Sequence, residues 1–153
     1  MKIGLMGVLV DTPPGWEVRV KRVEADVDSA RRLAVTHAAT IPLPAERGDF
    51  GSGIVERLGP DDVFVALLEY GEEVVGSNLF AARGFPRDVG ADDFDTARLQ
   101  VNLPGQAGFQ RFFTVGDRAF CLYVVIGAYR NRARLARKVR DLMESVEVGA
   151  RDE

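Results

Sequence analysis

Residues 109–148 limit the fold more than any other stretch, because three elements that need one another follow there in sequence. Two long apolar runs flank Gly116-Asp117, a two-residue hairpin signal of the primed-turn type. Such a turn predicts Val115 opposite Arg118, Phe113 opposite Phe120 and Arg111 opposite Leu122. A helix is then expected over residues 129–145, with Leu135, Val139, Leu142, Met143 and Val146 on one apolar stripe at helical spacing. Arg130, Arg134, Arg137, Lys138 and Asp141 lie off that stripe and are expected in solvent. A short strand over residues 146–148 closes the unit. An antiparallel pair joined to a one-sided helix must bury the stripe against the sheet, and this predicts an α+β protein with a mostly antiparallel sheet packed by a long C-terminal helix.

Upstream, residues 3–10 and 16–23 read as strands separated by Asp11-Thr12-Pro13-Pro14-Gly15, where prolines and a glycine suit a turn. In the second strand Trp16, Val18 and Val20 alternate with Glu17, Arg19 and Lys21, the pattern of a strand with one wet face. Residues 24–32 form a polar connector. Leu33, Val35, His37, Ala39 and Ile41 then share one face of a third strand that Pro42 and Pro44 end. Residues 47–53 are a glycine-rich loop feeding a short helix closed by Gly59-Pro60. Residues 63–70 are almost wholly apolar, as a central strand covered on both faces requires. Glycines and Pro86 interrupt residues 71–100, with one helical turn expected near residues 91–94.

The chain of 153 residues suits a single domain over residues 1–153, long enough to bury a core without metals or disulfides. Its one cysteine, Cys121, excludes an intrachain disulfide, CxxC redox chemistry and a cysteine-built zinc site. Cys121 reads as a small core residue. A formal charge of -3 argues against a general preference for nucleic acid or anionic membranes. Of the 20 basic residues only Lys2, Lys21 and Lys138 are lysines, a coding bias that lowers the functional weight of any one arginine. No segment is long and apolar enough to span a membrane, and the first ten residues lack a cleavage site for export. The expected location is cytoplasmic.

Candidate chemistry is sparse. His37 is the single histidine, placed on an apolar strand face where a core role competes with that of a general base. Arg47-Gly48-Asp49 is an RGD tripeptide in a loop that opens a helix, a generic anion-friendly arrangement without the glycine-lysine spacing of a phosphate loop. Asp88, Asp92, Asp93 and Asp95 cluster without EF-hand spacing, and a capping role for Asp92 or Asp93 accounts for them. Residues 130–140 hold six basic side chains that either grip an acidic partner or face solvent near the helix C-terminus. Phe50, Phe80, Phe85, Phe94 and Phe109 fall in or beside loops, where apolar residues close the core or build a binding surface.

Pro13-Pro14-Gly15-Trp16 at a strand entry, together with the hairpin–helix–strand ending, resembles the Mog1/PsbP-like superfamily of α/β sandwiches. The blocks RGDFGSG, GPDDVFVALLEYG, LPGQAGFQRFFT and GDRAFCLYVV resemble those of a family of actinobacterial proteins that carries no assigned activity. The superfamily likeness implies a compact sandwich around an antiparallel sheet. Its known members are mostly non-enzymatic: an extrinsic photosystem subunit, a Ran-GTPase-binding factor and bacterial lipoproteins. The lipobox cysteine of the last group is absent here, so no lipid anchor is implied.

These readings converge on a non-catalytic binding module that recognises a protein partner through loops at residues 47–53 and 103–109. Arg47, Asp49, Phe50, Gln106, Phe109 and Arg111 are the candidate binding residues. No catalytic residue, metal ligand or cofactor is assigned, and whether the chain is an enzyme stays open. The alternatives are a small-molecule or anion site using His37 and Arg111 in a pocket between sheet and loops, or an acidic-partner or nucleic-acid binder acting through the basic helix. Self-association is also left open.

Overall fold

Strand β5 (Val63–Tyr70) and strand β7 (Arg118–Ile126) are buried along both faces, and they lie side by side at the centre of a five-stranded antiparallel sheet. The structure, a computed structural model, describes residues 2–24 and 32–149. Around the central pair the order is β3 (Glu17–Glu24), β4 (Arg32–Ala39), β5, β7 and β6 (Ala107–Val115). The predicted register is the observed one: Val115 pairs with Arg118, Phe113 with Phe120 and Arg111 with Leu122. Gly116 turns the chain at φ 60°, a value glycine adopts without steric penalty. Apart from its ends, which close β3 and open β4, the connector expected over residues 24–32 lies outside the described residues.

Helix α1 (Arg132–Glu144) follows a 3-10 turn at Tyr129–Asn131 and buries Leu135, Val139, Leu142 and Met143. These residues pack on the sheet face formed by Val65, Leu67, Leu122 and Val124. The polar side of the helix is less free than its pattern suggests. Arg134 pairs with Asp61, Lys138 donates to the Asp61 carbonyl oxygen and Arg140 to that of Val89.

Residues 3–10 depart from expectation. They form not one strand but two, β1 (Lys2–Leu5) and β2 (Val8–Asp11), joined by Met6 at φ 53° and Gly7 at φ 77°. Two successive positive φ angles are those of a type I′ turn, the tightest reversal compatible with strand twist. Strand β8 (Val146–Val148) pairs with β2, so a second, three-stranded antiparallel sheet β1-β2-β8 stands apart from the first. Its core-facing Val8, Val10 and Val146 join the same hydrophobic cluster as α1. The fold is therefore α+β, with two antiparallel sheets and one C-terminal helix.

Where the C-terminal strand ends, Arg118 and Glu69 form a fully buried, two-pronged ion pair with both contacts at 3.0 Å. The third guanidinium nitrogen donates to the Gly149 carbonyl oxygen at 3.0 Å, which ties the end of the small sheet to the large one. Among the described residues no helix is long and apolar enough to cross a membrane.

Candidate functional site

The face of the large sheet opposite α1 has no α-helix over it among the described residues; the short helix expected after residue 53 is a single 3-10 turn at Val55–Arg57. Strand alternation sends Val35, His37 and Ala39 of β4, Phe64, Ala66 and Leu68 of β5, and Cys121, Tyr123 and Val125 of β7 to that side. Loops and that one turn cover them, from residues 41–58 and 99–106, through Leu43, Ile54, Val55 and the half-buried Phe50, Leu99 and Leu103.

His37 anchors the first loop. Its ring is wholly buried, tilted against Phe64 at 5.3 Å, and both nitrogens are engaged. Arg47 donates from Nε to His37 Nδ1 at 2.7 Å, so Nδ1 must hold the lone pair. The proton then sits on Nε2, 2.9 Å from the Asp49 carbonyl oxygen that accepts it. Burial of the ring, reinforced by the Arg47 charge, lowers the His37 pKa to about 4. Arg47 also donates from Nη1 to the Pro44 carbonyl oxygen at 2.7 Å. The guanidinium of the RGD tripeptide is thus turned inward as a loop clasp.

Glycine is required just beyond it. Gly51 has φ 90°, and a Cβ there would stand 2.5 Å from the Phe64 ring. The loop backbone therefore lies directly on the sheet, and this contact sets the depth of what lies beside it. That is a pocket of about 230 Å³ between residues 48–56 and 100–106, with Tyr123 and Val125 as its floor. Phe50 meets Tyr123 edge-on at 5.4 Å, Val55 forms a wall, and Val101 on the rim is 58% exposed. The Tyr123 hydroxyl accepts the Gln100 N–H at 2.8 Å and fixes the second loop. Gln106 donates to the Val55 carbonyl oxygen at 2.7 Å, which links the two loops across the pocket, while its own Oε1 has no donor among the described residues. Asp49 and Glu56 add carboxylates to the lining.

Of the residues singled out in the sequence, Asp49, Phe50 and Gln106 line this pocket, and Arg47 holds its loop in place. Phe109 and Arg111 lie elsewhere. They alternate to the helix side of β6, where Phe109 is buried against Phe94 at 5.2 Å. Arg111 lies over the Phe109 ring, ion-paired to Asp88 at 2.9 Å and Asp93 at 2.7 Å. His37 and Arg111 therefore sit on opposite faces of the sheet and do not share a pocket. Phe80 and Phe94 are core residues as well.

The aspartate cluster resolves into local contacts. Asp93 accepts the Gly90 N–H at 2.7 Å, and the hydrogen bond from Arg111 holds the Asp88 carboxyl below its usual range. No group of His, Cys, Asp and Glu among the described residues is placed to hold a metal ion. Cys121 is buried, and burial pushes its thiol up to about 12. The floor residues Tyr123 and Val125 carry no sequence signal of their own, since β7 reads as core throughout.

No protein-family model, curated protein or solved structure matches the chain. The resemblance to the Mog1/PsbP-like superfamily rests on Pro13-Pro14-Gly15-Trp16 and the hairpin–helix–strand ending alone.

Proposed function

We propose that this protein is a non-catalytic binding module whose loop-walled pocket seats one apolar side chain of a protein partner. One observation carries the reading: two glycine-bearing loops, distant in sequence, close over Tyr123 and Val125 to form a single apolar pocket with an exposed valine on its rim. A volume of about 230 Å³ falls below the roughly 300–1,000 Å³ of small-molecule sites. It suits an anchor residue of the kind that dominates protein interfaces. The nearby groups with catalytic potential are otherwise engaged: His37 has both nitrogens in hydrogen bonds, and the Cys121 thiol is buried. Asp49 and Glu56 favour a partner segment with a lysine or arginine next to its anchor.

A cytoplasmic setting belongs to the same proposal, supported by the buried free thiol of Cys121. So does kinship with the Mog1/PsbP-like sandwich, for which the strand entry after Pro13-Pro14-Gly15-Trp16 and the α1–β8 ending are the support. The basic helix is a weaker candidate surface, because Arg134 and Lys138 are already drawn to Asp61.

The test is affinity purification of the tagged protein from its host, in parallel with Val101→Asp and Phe50→Ala. The exposed Val101 makes the first change harmless to folding. A partner recovered by the parent chain and lost with both variants is the expected result. Equal recovery by all three would place the interface elsewhere.

A further inference from the structure

The edge of the large sheet at β6 is guarded at both ends and open in the middle. At one end Thr114 donates to the Ala82 carbonyl oxygen at 2.8 Å and accepts from Gly84 N–H at 2.9 Å. At the other, Gly108 and Asp95 exchange two hydrogen bonds at 2.9 and 3.0 Å. Gly108 and Thr114 thus turn their main-chain groups away from β7. The register between β6 and β7 is continuous, so Gln110 and Phe112 share that outward parity. No main-chain partner takes their N–H and C=O groups on the outer side among the described residues.

The opening arises from packing. The segment from residue 84 to 95 would continue along the edge, but Phe85, Val89 and Phe94 draw it into the core on the helix side. What remains is a notch about 20 Å long between the two guarded positions, at roughly 3.3 Å per residue. Beside it lies a second pocket, of about 390 Å³, bounded by Pro86, Phe85 and Phe113 with Asp88 and Arg111 at its margin.

We propose that this notch accepts an extended segment of another polypeptide, which adds as a short strand to Gln110 and Phe112 and lodges a bulky apolar side chain in the pocket beside them. Strand addition draws its affinity from main-chain hydrogen bonds and its selectivity from pockets for alternate side chains, and both parts are present here. Charge does not choose the occupant, because Arg83, Arg111 and Asp88 put both signs around the pocket. A second copy of β6 is the wrong occupant. Pairing about a two-fold axis through the notch would set Gly108 of one copy against Thr114 of the other, where Asp95 and residues 82–84 already occupy the outer side of both, so only a strand without such flanking segments fits.

Gln110→Pro tests the idea cleanly. On an edge strand proline removes only an outward N–H, so the fold should keep its denaturation midpoint. Arg111→Pro would instead break a bond to β7 and is the unfolding control. The probe is a random linear peptide library displayed on phage, selected against the parent protein. Enriched peptides should lose at least about tenfold in affinity against Gln110→Pro and on N-methylation of alternate peptide nitrogens, yet bind Val101→Asp normally. In native hydrogen exchange the amides of Gln110 and Phe112 should exchange fast in the free protein and slow down with peptide bound. The proposal is overturned if no peptide is enriched, if Gln110→Pro leaves binding intact, or if Val101→Asp alone abolishes it. This last result would assign the peptides to the loop-walled pocket.

Discussion

Lowering the pH from 7.5 to 4.0 should destabilise this protein through His37 in particular. In the folded chain the ring is buried and neutral, with its pKa lowered to about 4 from the ordinary 6.5. Between pH 6.5 and 4 the unfolded chain therefore binds a proton that the folded chain refuses. The His37 contribution is fully present above pH 6.5 and is lost as pH falls towards 4. A shift of about 2.5 units at 1.36 kcal/mol each gives a loss of about 3 kcal/mol by pH 4. The groups that face the ring are Asp49, whose carbonyl oxygen accepts from it, and the cations Arg47 and Lys21.

Carboxylates titrate in the same window, so the measurement has to be a difference. Urea denaturation of the parent chain and of His37→Gln, taken at half-unit intervals, isolates the imidazole. The glutamine amide keeps one donor for Asp49 and one acceptor for Arg47 but does not titrate. The stability of the parent relative to the variant should fall by about 3 kcal/mol across the range. In Arg47→Met the guanidinium no longer opposes the imidazolium, and the fall should shrink. A difference between parent and His37→Gln that stays constant with pH would refute a buried neutral ring.

Two further perturbations probe other parts of the fold. Arg118→Met removes the two-pronged guanidinium contact from the buried Glu69 carboxylate and the donor from the Gly149 carbonyl oxygen. It should cost about 3–5 kcal/mol in urea melts, and Glu69→Leu/Arg118→Met should regain most of that. An equal loss in the double variant would mean that the pair itself stabilises the fold. Gly51→Ala places a Cβ against the Phe64 ring at a backbone angle alanine avoids. It should cost about 2–4 kcal/mol by thermal or chemical melts and weaken partner recovery, whereas Gly105→Ala, with open space around it, should cost only the backbone strain.

The β6–β7 hairpin and helix α1 were legible because their signals are local. A turn dipeptide fixes one register, and helical spacing fixes one stripe. The N-terminal hairpin was hidden for the same reason: Met6 takes a left-handed conformation that its side chain does not advertise, so the strand pair reads as one apolar run. The second sheet depends on β8 finding β2, a pairing between chain ends that no local pattern encodes. At the site, Asp49 and Phe50 could be read from a glycine-rich loop. Residues 103–109 form no single surface, because β6 begins at Ala107 and alternation puts Gln106 and Phe109 on opposite faces.

The two faces of the large sheet thus differ in what covers them, and this difference places the candidate site. On one side α1 lays a regular stripe of leucine, valine and methionine onto β5 and β7 and fills the space. On the other side loops must do the covering, and a loop has no repeating stripe with which to match a pleated surface. It is held at chosen points: Arg47 and Asp49 clasp His37, Gly51 rests on Phe64, and Gln106 reaches Val55. Between those points the coverage is incomplete, and the gap over Tyr123 and Val125 is the pocket. The pocket's shape is therefore set from beneath by β4 and β5 as much as by its own lining. A substitution at His37 or Gly51, neither of which a partner could touch without unfolding the loop, should alter binding as surely as one at Phe50.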